Sequence, residues 1–250
     1  MSKRSKLRQD APRLLPTEIK PERKHLTLAE WQAVREVLED RYFATVGTGP
    51  PSKEKRTLRD RALILAMYAV GARRDEPGTW TLDYLREIHK HKLYVFRGKG
   101  SVQGFCEVPE YVSQVLIEWL DELYPDKNER QREWWVFPGV RRRGQEPLGI
   151  SDRNVYRIFN NAAKEAGLPK HLCHPHTLKR SRGQHLLELG KREGRSAEEM
   201  IPIIAKVLGH KNQAVTRKHY LTETEADREL VRQLGEEVVP RAAMEEMEDE

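Results

Sequence analysis

The sequence predicts a mainly helical α+β domain, and three observations carry that expectation. Apolar residues recur at helical spacing between cap signatures and glycine stops over most of the chain. One stretch, Thr79 to Val108, switches to β-branched and aromatic runs around a glycine-rich turn. The 250 residues show no internal repeat and suit one domain with a sizeable core. The β content is thus a small antiparallel sheet inserted after the second helix.

Residues 1–25 carry eight cations among prolines and few large apolar side chains, so they read as a basic flexible arm, either a solvated tail or a contact to a polyanion. Order begins where Thr27 and Glu30 form a capping box and Leu26 can staple onto Trp31. A helix to about Asp40 follows, with Trp31, Val34 and Leu38 on one face. Gly47 to Lys55 reads as a loop, and Thr57 with Asp60 as the start of a second helix that stops at Gly71. Trp80 to Leu82, Leu93 to Phe96 and Val102 to Val108 read as strands, the last two a hairpin about Arg97-Gly98-Lys99-Gly100-Ser101.

Pro109 starts a helix bearing Val112, Leu116 and Leu120, ended by Pro125. Trp134 to Phe137 is a short strand or buried segment, and Trp80, Trp119, Trp134 and Trp135 are expected in the core. Arg141-Arg142-Arg143 is a basic loop, solvated or touching phosphate. Ser151 caps a helix that Gly167 stops, and another runs from about Thr177 to Leu189 with Gly190 after it. Ser196 and Glu199 box a third, with Ile203, Ile204, Val207 and Leu208 inward, its first turns distorted by Pro202 and its end at Gly209. Glu223 to Leu234 is a last amphipathic helix, and Glu245 to Glu250 an acidic tail. The division expected is therefore 1–25 arm, 26–222 main folded domain, and 223–250 terminal helix and tail.

Charged residues make up 34% of the chain, above the roughly 25% of an ordinary soluble protein, and 45 Lys plus Arg against 39 Asp plus Glu leave a net charge of +6. That balance suits a polyanionic partner. No apolar run approaches the roughly 20 residues needed to span a bilayer, and the basic start lacks the apolar stretch of a secretory signal. Two distant cysteines, Cys106 and Cys173, make no disulfide framework, so a cytoplasmic location is expected.

Several cationic and imidazole groups sit just past a helix end or on a tight turn, where a side chain is rigid yet exposed. Arg73 follows the stop at Gly71, Lys99 tips the hairpin, His176 and Lys179 are three apart on one helix face, His210 follows Leu208-Gly209, and Tyr220 lies ten further on. Each alone is unremarkable. The dense run His171 to His176 invites a zinc reading, but four ligands would have to wrap an ion around Pro175, so no metal is expected and Cys173 reads as a small buried residue. His185 and His219 read as packing residues or as edge residues facing the polyanionic partner.

In order and spacing these groups resemble the catalytic domain of the tyrosine recombinases, or phage integrase family. Gly71-Ala72-Arg73-Arg74-Asp75-Glu76 resembles the family's first box, G-x-R-x-x-E, and Arg97-Gly98-Lys99-Gly100 its hairpin motif. His174 to Ser181 resembles the second box, H-x-L-R-H, and Val207-Leu208-Gly209-His210 with Thr216 to Tyr220 resembles L-G-H and its tyrosine. The four together are specific where one would be weak. The resemblance implies a site-specific recombinase that cleaves and rejoins double-stranded DNA through a 3′-phosphotyrosyl intermediate, in integration, excision or inversion. It implies Arg73, Lys99, His176, Lys179, His210 and Tyr220 as catalytic and Glu76 and Arg180 as supporting, with no cofactor, and a homo-tetramer on paired sites coupled by the terminal helix.

Two departures qualify the resemblance. Lys179 stands where the second box has its arginine, and arginine comes one position later as Arg180. A lysine cannot offer a bidentate fork, so either Lys179 serves with weaker geometry or Arg180 takes over, with Lys179 the favoured choice. The family's usual N-terminal helical DNA clamp has no counterpart in the short arm. A weakened DNA-binding regulator of the same fold, or relaxation like that of a type IB topoisomerase, are the alternative readings.

Overall fold

The computed structural model describes residues 23–96, 103–139, 148–210 and 212–220. The Lys99 turn, the Arg141 to Arg143 loop, the helix expected at 223–234, the acidic tail and all but the end of the arm lie outside them.

Helix α1, Leu28–Phe43, begins on the expected capping box and runs three residues beyond Asp40, burying Trp31, Val34, Leu38 and Tyr42. Glu30 closes the box and accepts both guanidinium nitrogens of Arg23 at 2.6 Å, which hold its carboxyl down at about 2. Helix α2, Pro51–Val70, starts six residues before Thr57, with Pro51 at its first position. Proline suits that position because its missing N–H would have no helical partner there. Thr57 is instead inside the helix: its hydroxyl bonds back to the Lys53 and Glu54 carbonyls and meets Thr45 Oγ1 at 2.8 Å. Gly71 ends α2 with φ +61.

The expected strand at Trp80 to Leu82 is reduced to one bridge, Thr81 to Trp135, after which Leu82–Leu85 turns into a 3-10 helix. The hairpin is present as β1, Lys92–Phe96, antiparallel to β2, Gln103–Glu107, with Leu93 opposite Cys106. Helix α3, Glu110–Leu123, follows Pro109. Trp80 and Trp119 are core, Trp119 Nε1 donating to the Val136 carbonyl, whereas Trp134 and Trp135 are only partly buried.

Helix α4, Asp152–Glu165, is capped by Ser151 as expected. Its start is clasped to the turn after α2: Gly149 lies so close to the Gly78 carbonyl that a Cβ would collide with that oxygen. Helix α5, His176–Arg192, continues through Gly190, which is not its stop. There the missing side chain leaves room for Met200 of α6, Ala197–Leu208, to press onto the α5 backbone. Pro202 is exposed and lies inside an unbroken α6, the expected core residue Ile203 is exposed beside it, and Val207 is partly buried. A further helix, α7, Gln213–Tyr220, carries the tyrosine at its last position.

One large core joins α1 to α4, the strand residue Leu93 and the first turn of α5. Buried Arg61 ties α1, α2 and α3 by ion pairs to Glu39 and Glu118 at 2.7 and 3.1 Å and a bond to the Tyr111 hydroxyl. The segment before α1 is sewn to α5: the Leu26 N–H donates to Ser181 Oγ, and His185 bridges the Leu26 carbonyl and the Tyr68 hydroxyl. His185 is therefore a packing residue. A second cluster, Leu187, Met200, Ile204 and Leu208, stands apart between α5 and α6.

Candidate active site

The site grows from three helix ends. At the first, Gly71 turns the chain in the left-handed conformation and the next residues leave the helix, so Arg73 is delivered exposed at the edge of a rigid core. Glu76, three residues on, is buried, and its carboxylate lies 3.9 Å from the Arg73 guanidinium. Neither Glu76 carboxylate oxygen finds a hydrogen-bond donor among the described residues. Arg74 reaches across to Asp152 at 2.9 Å and so links this turn to the start of α4.

The second end is the start of α5, where Pro175 sets the entry and His176 is the first helical residue. The His174 and His176 rings lie parallel, 6.3 Å between centroids. Partial burial, followed by the charges of Arg180, His174, Lys179 and Arg73, lowers His176 to about 4. Its imidazole is therefore neutral at pH 7. His174 is lowered for the same reasons, burial first and then Arg180 and Arg74. The Cys173 thiol is turned inward onto the Leu168 and Pro169 carbonyls, and burial raises its pKa.

Lys179 and Arg180 diverge. Lys179 is 4% exposed, and its ammonium donates to the Leu208 carbonyl at 2.7 Å. Arg180 is partly exposed and is the leading neighbouring charge on both His174 and His176.

The third end is that of α6. Gly209 adopts φ +63, and the His210 amide closes back on the Ala205 carbonyl at 2.8 Å. His210 Nδ1 meets the Thr216 hydroxyl at 2.8 Å, and Thr216 is fully buried in α7. The structure thus brings Arg73, Glu76, His176, Lys179 and Arg180 to one edge, with His210 joined to it through the end of α6. Tyr220 ends α7, and Lys99 lies outside the described residues. Sequence reasoning did not assign Thr216 as the His210 partner or Arg74 as the link to α4. The only signal for the first is a hydroxyl residue six positions after the histidine.

Three helix ends thus present a cationic edge around an imidazole that is neutral at pH 7. The fold agrees with solved structures. The XerA recombinase matches with a TM-score of 0.57 at 20% identity, over 84% of this chain and 64% of that one. The XerH site-specific recombinase, in a post-cleavage complex with palindromic difH substrate, matches with a TM-score of 0.56 at 20% identity, over 86% and 53%. The fold is that of the tyrosine recombinases. The model of the phage integrase family matches residues 46–227, and the chain belongs to that family.

Among its relatives, tyrosine recombinase XerD of Listeria monocytogenes serotype 4b (strain F2365) is 30% identical over 162 residues, 64% of this chain and 49% of that protein. The XerD of Mycobacterium tuberculosis (strain ATCC 25618 / H37Rv) is 29% identical over 185 residues, 74% and 54% respectively. The chain spans about half the length of these relatives. Among the described residues no helix is long and apolar enough to cross a membrane.

Proposed function

We propose that this chain is a site-specific recombinase that cleaves and rejoins double-stranded DNA through Tyr220. The observation that carries the reading is the convergence of Arg73 and Arg180 on a His176 held neutral at pH 7. A phosphodiester is anionic and its transition state gathers further charge, so fixed cations at one point stabilise it. A neutral imidazole among them is a base able to take the tyrosine proton.

In the reaction, the Tyr220 oxygen attacks phosphorus while its proton passes to His176. The bond from phosphorus to the 5′ oxygen breaks, and Lys99 protonates that oxygen. The product is a 3′-phosphotyrosyl link that preserves the energy of the original bond, so a second 5′ hydroxyl reverses the step without a nucleotide cofactor. Arg73 binds the non-bridging oxygens, and Glu76 behind it holds the guanidinium in place. The Thr216 hydroxyl, 2.8 Å from His210 Nδ1, orients that ring and leaves its Nε2 to face the phosphate.

Residues 26–222 form the catalytic domain, the arm at 1–25 adds cationic contacts to DNA, and the segment 223–250 couples protomers in a tetramer on paired sites. The test is a nicked duplex that traps the adduct. Wild-type protein becomes covalently attached at Tyr220, and Tyr220→Phe binds the duplex but forms no adduct. Mass spectrometry placing the DNA on another residue, such as the exposed Tyr156, defeats the assignment.

A further inference from the structure

Lys179 occupies the place of a phosphate-binding residue, yet its ammonium is buried and already committed. Its acceptor, the Leu208 carbonyl, is the last of α6 and one of the carbonyls a helix end leaves without an internal partner. The amides that follow, of Gly209 and His210, close on the Lys206 and Ala205 carbonyls instead. A cation at this end also meets the negative pole of the helix dipole. Drawing the ammonium away to DNA would leave the Leu208 oxygen unpaired in a buried place, which disfavours the withdrawal.

Leu208 is also a crossing point. Its side chain abuts the turn before Arg73, where a Cβ on Gly71 would come within 2.5 Å of Leu208 Cδ2. Its carbonyl takes Lys179, and two residues later comes His210, bonded in turn to Thr216 of α7. One residue therefore joins the turn of Arg73, helix α5 and the corner leading to Tyr220. Arg180, by contrast, lies four residues from His176, partly exposed, with a planar fork suited to phosphate.

We infer, resting on the recombinase reading, that Lys179 is a positioning residue that locks the end of α6 against the Arg73 turn, and that Arg180 makes the phosphate contact from α5. The compact ammonium of lysine reaches the enclosed Leu208 carbonyl, and the bulkier planar guanidinium overfills that buried position, so Lys179→Arg lowers activity.

The test compares two nicked duplexes, one with an ordinary scissile phosphate and one with a neutral methylphosphonate, using the full chain. Lys179→Met slows adduct formation by about ten- to a hundredfold through kcat, to the same extent on both duplexes, as misplacement does. The Arg180→Ala defect shrinks on the methylphosphonate, where there is less charge to stabilise. A Lys179→Met defect that disappears on the methylphosphonate overturns the inference. Nitrogen NMR of the wild-type lysine side chains supplies a second reading that needs no activity. A slowly exchanging Lys179 ammonium coupled to the Leu208 carbonyl, unmoved by adding duplex, supports the lock, and a solvent-averaged one refutes it. If wild-type protein forms no adduct on either duplex, the recombinase reading falls while the NMR result still decides the lock.

Discussion

The turn that carries Arg73 and the start of α5 that carries His176 rest on the large core, whereas the corner that carries His210 and α7 rests on Leu187, Met200, Ile204 and Leu208. Fully buried Phe159 and Trp80 belong to the first region, and no aromatic ring belongs to the second. Local opening follows buried apolar contact, so the two halves of the site differ in rigidity by construction. The half with Arg73 and His176 is fixed, and the half with His210 and α7 opens at lower cost.

The largest effects expected from breaking this contrast come from cavities. Phe159→Ala removes a fully buried ring from the large core and costs about 3–5 kcal/mol of global stability, read as a lowered denaturant midpoint. Ile204→Ala costs about 2–5 kcal/mol within the small cluster. Its signature is faster hydrogen exchange in α6 and α7 while α2 keeps its protection. Equal acceleration in α2 would show that the two regions unfold as one.

A smaller effect, in the opposite sense, comes from acid. Burial lowers His25 and His185 below the ordinary histidine value, and His176 falls to about 4. The unfolded chain therefore takes up these protons first. The stabilisation is complete above about pH 6.5 and declines as the pH falls toward the folded values, because protonation then favours the unfolded state. His185 joins the segment before α1 to α5, so acid loosens a seam of the large region. Hydrogen exchange at pH 7 and pH 5 should show the Leu26 amide losing protection ahead of α6, and His185→Gln should flatten the difference.

The smallest and sharpest comparison uses two identical devices. Thr27 with Glu30 and Ser196 with Glu199 are both complete capping boxes, one opening α1 and the other α6. Removing either hydroxyl with alanine costs about 1 kcal/mol. Thr27→Ala should lower global stability, and Ser196→Ala should appear almost wholly as local exchange in α6.

Those boxes also mark what the sequence made legible. A cap is written within four residues, as is the left-handed stop at Gly71, and the hairpin is written in a glycine-rich turn between β-formers. The misplaced elements depend on distant partners. Thr57 reads as a cap until Thr45 and the Lys53 carbonyl occupy its hydroxyl, and Gly190 reads as a stop until Met200 fills the space over it. In the site, Arg73 and His176 stand at positions fixed by local turns. The burial of Lys179 is set by a carbonyl 29 residues away, and no pattern along the chain announces it.

The close approach of Gly78 and Gly149 bears on how freely this scaffold can be remodelled. The bridge from Pro138 to Gly149 pins both ends of the segment between them, and the glycine contact anchors that base to the turn after Arg73. Helix α4 starts immediately beyond and inherits its position from the clasp rather than from whatever joins residues 139 and 148. Closing a longer segment costs only about 0.6 kcal/mol per doubling of its length. This is therefore a socket into which segments of different length and chemistry can be exchanged while α4 and the Arg73 turn keep their register.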